Sequence, residues 1–228
     1  MKLLTVDGID VIVEKKRVKN LNLRITRGGV LCSVPMYVSY AEAEGFIRSR
    51  AEWIKKKCTE MGSVSSADNT VNEMKSGDRV ILFGEEKEIL FVPSEKSGAD
   101  LIGDTVVIRA QRDSTPESRK EIFSELASML LREKIEPMMS RWENVMGVEK
   151  IPWTVRKMKT RWGTCHVTER RIWFSVMLSE KRNALIEYVV VHELCHLFVS
   201  NHGEEFKALM TKYLPEWKEL RRELNNRR

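Results

Sequence analysis

The sequence predicts an α+β fold: a β-rich region over residues 1–112, then a core over residues 113–228 built from helices and a small antiparallel sheet. Three observations predict it. Short apolar runs alternate with glycine-containing turns through the first hundred residues. Apolar spacing becomes helical after Pro116. A largely apolar segment around residue 190 carries two histidines four positions apart.

The β-rich region reads in order as follows. Leu3–Val6 and Ile9–Val13 flank Asp7-Gly8, a dipeptide suited to a tight hairpin. Leu21, Leu23 and Ile25 alternate with polar residues, Gly28-Gly29 turns the chain into Val30–Val34, and Pro35 stops that strand. Ser39 with Glu42 has capping-box spacing for a helix whose apolar face carries Phe46, Trp53 and Ile54 and whose end falls at Lys55-Lys56-Lys57. Residues 62–72 are small and polar and predict a mobile loop, followed by strands at 79–83, 87–92 and 105–110.

In the second region Pro116 sits at a first helical position with Glu117 beside it. Ile122, Leu126, Met129 and Leu130 follow at helical spacing, and Pro137 is expected to kink or split the helix before Gly147. Arg171–Leu178 alternates as a strand with two unlike faces. Helices are expected from Asn183 to Val199 and from about Glu204 towards the C-terminus, and no internal repeat is visible.

Composition bounds the function. The chain has 228 residues, 42% hydrophobic and 32% charged, enough to bury a substantial core. No run approaches the roughly 18–20 apolar residues of a membrane span, and the N-terminus lacks the apolar stretch of a secretory signal. Cys32, Cys58, Cys165 and Cys195 form no CxxC pair and are expected as reduced thiols, which predicts a cytoplasmic protein. The net charge of +6 gathers in residues 1–60 and at Arg227-Arg228. With few aromatics among these charges, it predicts a solvated basic face and at most weak, non-specific contact with nucleic acid or another polyanion.

The chemistry is concentrated in His192-Glu193-Leu194-Cys195-His196, an HExxH pattern. On a helix both imidazoles lie on one face and can share a metal ion, while Glu193 can reach a water on that ion without being a ligand. The flanking Leu185, Val189, Val190, Val191, Leu194 and Leu197 bury the helix, and buried His and Glu need partners that a metal would supply. A catalytic zinc takes three protein ligands and keeps one position open for water. His202 is the expected third ligand, returning past a turn at Ser200-Asn201. Glu204 and Glu205 are the competing candidates, read instead as the solvated start of the next helix, with Phe206 anchoring it. The HExxH-x5-H spacing has the length found in metzincins, but Val199 stands where their turn has glycine. His166, beside Cys165, is read as a loop residue.

Met158-Lys159-Thr160-Arg161-Trp162-Gly163-Thr164-Cys165, then Tyr188-Val189-Val190-Val191-His192-Glu193-Leu194-Cys195-His196 and Asn201-His202-Gly203-Glu204-Glu205-Phe206, resemble the YgjP-like family of metallopeptidases. Thr164 replaces that family's usual serine, and Trp173–Val176 lacks its common Leu-Asn. The last segment is also similar to SprT-like proteases, some of which act on protein crosslinked to DNA. The resemblance implies a zincin-like core, a helical metal site beneath a small sheet whose edge strand pairs with an extended peptide. Arg171–Leu178 is the candidate strand. Arg161 has the chemistry to stabilise an oxyanion or bind a substrate carboxylate or phosphate, and equally that of an ion pair holding its loop. Trp162 is read as packing. The leading expectation is zinc-dependent peptide hydrolysis with Glu193 as general base. The alternatives are a metal-dependent nucleotide pyrophosphatase and a non-catalytic zinc-stabilised binding module.

Overall fold

The computed structural model describes residues 1–26, 29–62 and 73–225. The predicted loop therefore lies outside the described residues, apart from Gly62, as do Gly28 and the terminal arginines. The protein is α+β, and its backbone divides into two compact units, Met1–Val80 with Glu86–Phe123 and Ile81–Glu85 with Ser124–Arg228. Among the described residues no helix is long and apolar enough to cross a membrane.

The first unit opens on β1 (Lys2–Val6) and β2 (Ile9–Lys16), paired antiparallel through Asp7 and Gly8, both at positive φ (51° and 76°) as a mirror-image tight turn requires. β3 (Asn22–Thr26) and β4 (Gly29–Pro35) complete a sheet ordered β1-β2-β4-β3, with β2 and β4 parallel. The Ser39–Glu42 capping box forms: the Ser39 hydroxyl accepts from the Glu42 N–H at 3.2 Å, and the Glu42 carboxylate accepts from the Ser39 N–H at 2.7 Å. The helix it starts is shorter than expected. α1 (Tyr40–Ser49) stops at Arg50, and α2 (Ala51–Gly62) begins anew, so Lys55–Lys57 lie inside α2. Ala43, Ile47 and Ile54 are buried here, while Trp53 is 43% exposed.

β5 (Arg79–Leu82), β6 (Glu85–Pro93), β7 (Gly98–Ile102) and β8 (Thr105–Ala110) form a second sheet ordered β5-β6-β8-β7, again with its second and fourth strands parallel. The strand order of the first sheet thus recurs, although no repeat is visible in the sequence. Ile12 and Leu31 pack with Leu90, Val92 and Val107. α3 (Pro116–Met146) runs unbroken through Pro137, which is exposed. Its buried stripe is Leu131, Ile135, Met139, Trp142 and Met146, whereas Met129 faces outward.

The second unit is organised around α4 (Asn183–Cys195), on which nine of thirteen residues are buried. Its sheet, ordered β10-β11-β9, contains β9 (Trp153–Arg156), β10 (Gly163–His166) and β11 (Arg171–Ser175). β10 and β11 are antiparallel but β9 and β11 are parallel, so the sheet is mixed. The expected edge strand is corrected: β11 is central and ends at Ser175, where a 3-10 turn (Val176–Glu180) takes over. His166 belongs to strand β10 rather than to a loop, its ring 4.1 Å from that of Trp173. The single C-terminal helix is two, α5 (Glu204–Tyr213) and α6 (Trp217–Asn225), separated around Pro215, whose ring cannot supply a helix-interior N–H.

Candidate metal centre

α4 is apolar on nearly every side, so burial rather than amphipathic patterning fixes it. Helical periodicity places His192 and His196 on one face. The chain leaves α4 through a further turn, Val199 N–H donating to Cys195 O at 3.1 Å. Asn201 then accepts the Gly203 N–H on its side-chain oxygen at 2.8 Å, which turns the chain into α5. A Cβ on Gly203 would meet that same oxygen at 2.8 Å. His202, held in this turn, brings its Nε2 to 3.1 Å from His192 Nε2.

The ligand-type atoms of His192, His196 and His202 all lie within 4.8 Å of one another. Glu204 and Glu205 are exposed in the first turn of α5 and stand outside this group, Glu204 paired with Lys207 at 2.6 Å. Phe206, 2% exposed, packs beneath the cluster, its ring centroid 4.9, 4.7 and 4.7 Å from those of His192, His196 and His202.

The donor set fits a cation. His196 Nδ1 is 3.1 Å from the Val199 carbonyl, which can only accept, so Nδ1 carries the proton and Nε2 keeps its lone pair. Burial foremost, then the neighbouring imidazoles and Arg221, hold His192 down at about 3. His196 is also lowered by burial. Both are therefore neutral near pH 7, the form that ligates. A tetrahedral ion with bonds of about 2.0–2.1 Å separates its nitrogen ligands by about 3.3 Å. The His192–His202 separation of 3.1 Å is close to that.

Glu193, next to His192 in sequence, lines the same cleft as the three imidazoles. It is 5% exposed, and burial pushes its carboxyl up to about 8 against the opposing pull of the Cys165 N–H and of Arg161. Gly163 is the reason it fits: a Cβ there would lie 2.6 Å from Glu193 Oε1. Ser175 N–H donates to Trp162 O, so the antiparallel alternation turns the N–H and C=O of Gly163 and Cys165 away from β11. The bond from the Cys165 N–H to Glu193 follows from that orientation.

His192, Glu193, His196, His202 and Arg161 all line one cleft of about 490 Å³. Trp162 lines it as well and packs against the core. Gly163 and Tyr188, which sequence reading took only as parts of the family motif, line it too, as does Arg221, which it did not single out. Tyr188 was legible in principle, being one helical turn before His192; its hydroxyl is pushed up to about 12, mainly by burial. Arg221 gave no such signal. Cys195, between the two α4 histidines in sequence, faces the core and is pushed up to about 12 by burial.

The family match places the chain among the metallopeptidases, whose chemistry depends on a divalent metal ion. The chain belongs to the YgjP-like family, whose metallopeptidase domain matches residues 19–227. Among solved structures it is similar to the zymogen of the Pyrococcus abyssi metallopeptidase abylysin, at 20% identity over 40% of this chain and 90% of that one, with a TM-score of 0.37. The Methanocaldococcus jannaschii jannalysin zymogen is similar at 20% identity, over 40% of this chain and 92% of that one, with a TM-score of 0.36. No curated protein matches the chain significantly.

Proposed function

We propose that the protein is a zinc-dependent peptidase in which His192, His196 and His202 hold the ion and Glu193 is the general base. The observation that carries the reading is the convergence of three imidazoles beside a buried carboxyl that is raised to about 8. Three imidazole nitrogen donors suit zinc better than the oxygen-seeking magnesium or calcium. Bound there, zinc would supply Lewis acidity, bringing the pKa of a water to about 7 and polarising a carbonyl.

The chain's own residues supply the rest. Glu193 takes the proton of the attacking water and returns it to the leaving amine, the Cys165 N–H keeping its carboxylate oriented. The outward N–H and C=O of Gly163 and the outward C=O of Cys165, on the free edge of the sheet, offer backbone pairing to an extended substrate. β10 replaces Arg171–Leu178 in that role.

The test is to incubate zinc-loaded protein and its Glu193→Gln variant with denatured proteins and with nucleoside triphosphates. Peptide cleavage by the wild type alone supports the reading. Release of pyrophosphate without peptide cleavage would replace it with the pyrophosphatase alternative. Elemental analysis should find about one zinc per chain, as a single three-ligand site requires.

A further inference from the structure

The cleft holds two guanidinium groups that neither the metal site nor the general base explains. Arg161 precedes β10, and Arg221 lies on α6, sixty positions later in the sequence. Both side chains are exposed, and among the described residues neither makes a hydrogen bond or an ion pair. Other arginines of this unit do find carboxylates: Arg182 donates to Glu223 at 2.8 Å, and Arg171 pairs with Glu169. The positions three and four residues either side of Arg221 are Trp217, Lys218, Leu224 and Asn225, so its own helix offers it no acid.

Arg221 is nonetheless held on a fixed element. Trp217, Leu220 and Leu224 bury the apolar face of α6, and the Arg182–Glu223 pair ties α6 to the start of α4. The two cations act on different groups of the site. Arg161 is felt by Glu193, whereas Arg221 is felt by His192 and Tyr188. Glu193 is the one acid among the described residues lining the cleft, and its carboxyl is already engaged by the Cys165 N–H. A planar guanidinium matches a carboxylate through two parallel hydrogen bonds, and a cleft with two unpaired guanidiniums and no free acid favours an anionic ligand.

We propose that Arg161 and Arg221 form a carboxylate-reading pair that selects peptides carrying an acidic side chain, or a free C-terminal carboxylate, close to the bond that is cleaved. This rests on the peptidase reading above. The two arginines are specificity determinants lining the cleft that holds the reacting centre. Tyr188 in the same cleft adds a phenolic hydroxyl as a further hydrogen-bonding group.

The experiment uses the full chain, zinc-loaded, as the Glu193→Gln variant so that bound peptides are not consumed. Its binding is measured to short degenerate peptide libraries with Asp and Glu, Asn and Gln, or Lys at one fixed position, each with a free or an amidated C-terminus. The acidic or free-carboxylate libraries should bind at least about tenfold more tightly than their amide counterparts. That ratio should fall to within about twofold when Arg161→Gln or Arg221→Gln is added, and Arg221→Glu should shift the preference towards Lys-containing peptides. A misfolded variant loses all binding but cannot invert a preference. Side-chain acid against amide, and free against amidated terminus, separate the two sources of carboxylate. Equal binding of all libraries, with wild-type protein cleaving them alike, would overturn the selection and leave the peptidase reading standing. Neither binding nor cleavage of any peptide would overturn both. Displacement of the peptides by a nucleoside triphosphate that the wild type then hydrolyses, peptides staying intact, would also overturn it.

Discussion

α4 and the turn into α5 contribute to the same cluster of imidazoles by opposite means. On α4 and at its C-cap, His192 and His196 are positioned by a helix with nine of its thirteen residues buried, and Glu193 is 5% exposed. His202 is exposed, and a three-residue turn closed by the Asn201 side chain places it. The first arrangement lowers the pKa of its imidazoles through desolvation, and the second positions its imidazole through a side-chain-closed turn. Changes on α4 should therefore alter chemistry, and changes around His202 should alter metal affinity.

The largest effect is expected at Glu193. Glu193→Gln should keep metal and fold but lower turnover roughly 10²–10⁴-fold through lost proton transfer. Steady-state kinetics beside metal analysis check this, and undiminished turnover would remove Glu193 from the chemistry. Next comes His202→Ala, which should weaken zinc binding by more than the roughly 10–100-fold that loss of a supporting residue costs. Glu204→Ala and Glu205→Ala should hardly change it. Competition with a chromogenic chelator measures all three, and the reverse pattern would transfer the ligand role to an acid.

Gly163→Ala tests the contact that seats Glu193. With a Cβ only 2.6 Å from Glu193 Oε1, the carboxylate must move. Turnover should fall with metal content intact, and overpacking should cost about 1–3 kcal/mol of stability in urea titrations. Normal activity would show that Glu193 works equally well elsewhere.

The buried groups of α4 also predict a pH signature for the chelated protein. His192 is depressed from 6.5 to about 3, so it contributes stability above 6.5 that is lost as pH falls towards 3. Glu193 is raised from 4.5 to about 8, so it contributes stability below 4.5 that is lost as pH rises towards 8. Between 4.5 and 6.5 the two oppose each other. Urea titrations across pH should show Glu193→Gln abolishing the loss between 6.5 and 8, and an unaltered slope there would assign it to other groups. The smallest effect is expected from Asn201→Ala. Losing the bond to the Gly203 N–H should cost about 1 kcal/mol, read as a modest fall in zinc affinity with turnover of the loaded protein unchanged.

Where local chemistry dictates geometry, the sequence was readable. The Asp7-Gly8 hairpin, the Ser39–Glu42 box and the shared face of His192 and His196 each follow from a few adjacent residues. What escaped depends on tertiary packing. β10 is Gly-Thr-Cys-His, with no alternation to mark it as a strand, and Gly163 matters only because Glu193 comes from another element. Pro137 does not break α3 because buried Ile135 and Met139 continue the packed stripe across it, outweighing a local cost of about 3 kcal/mol. Arg171–Leu178 has the alternation of a half-exposed edge, yet β9 and β10 take both its sides. Arg221 reads as one more cation on an amphipathic helix until α6 is seen to line the cleft.

Phe206 lends itself to spectroscopy. Its ring stands within 4.9 Å, centroid to centroid, of all three imidazoles, and it is buried where solvent does not average its environment. A fluorinated phenylalanine at this position, nearly the same size as the natural one, would feel the ring currents of His192, His196 and His202 at a single nucleus. One fluorine resonance would then register any reorientation of the cluster, separating a change in ligand geometry from a change in catalysis without a substrate being known.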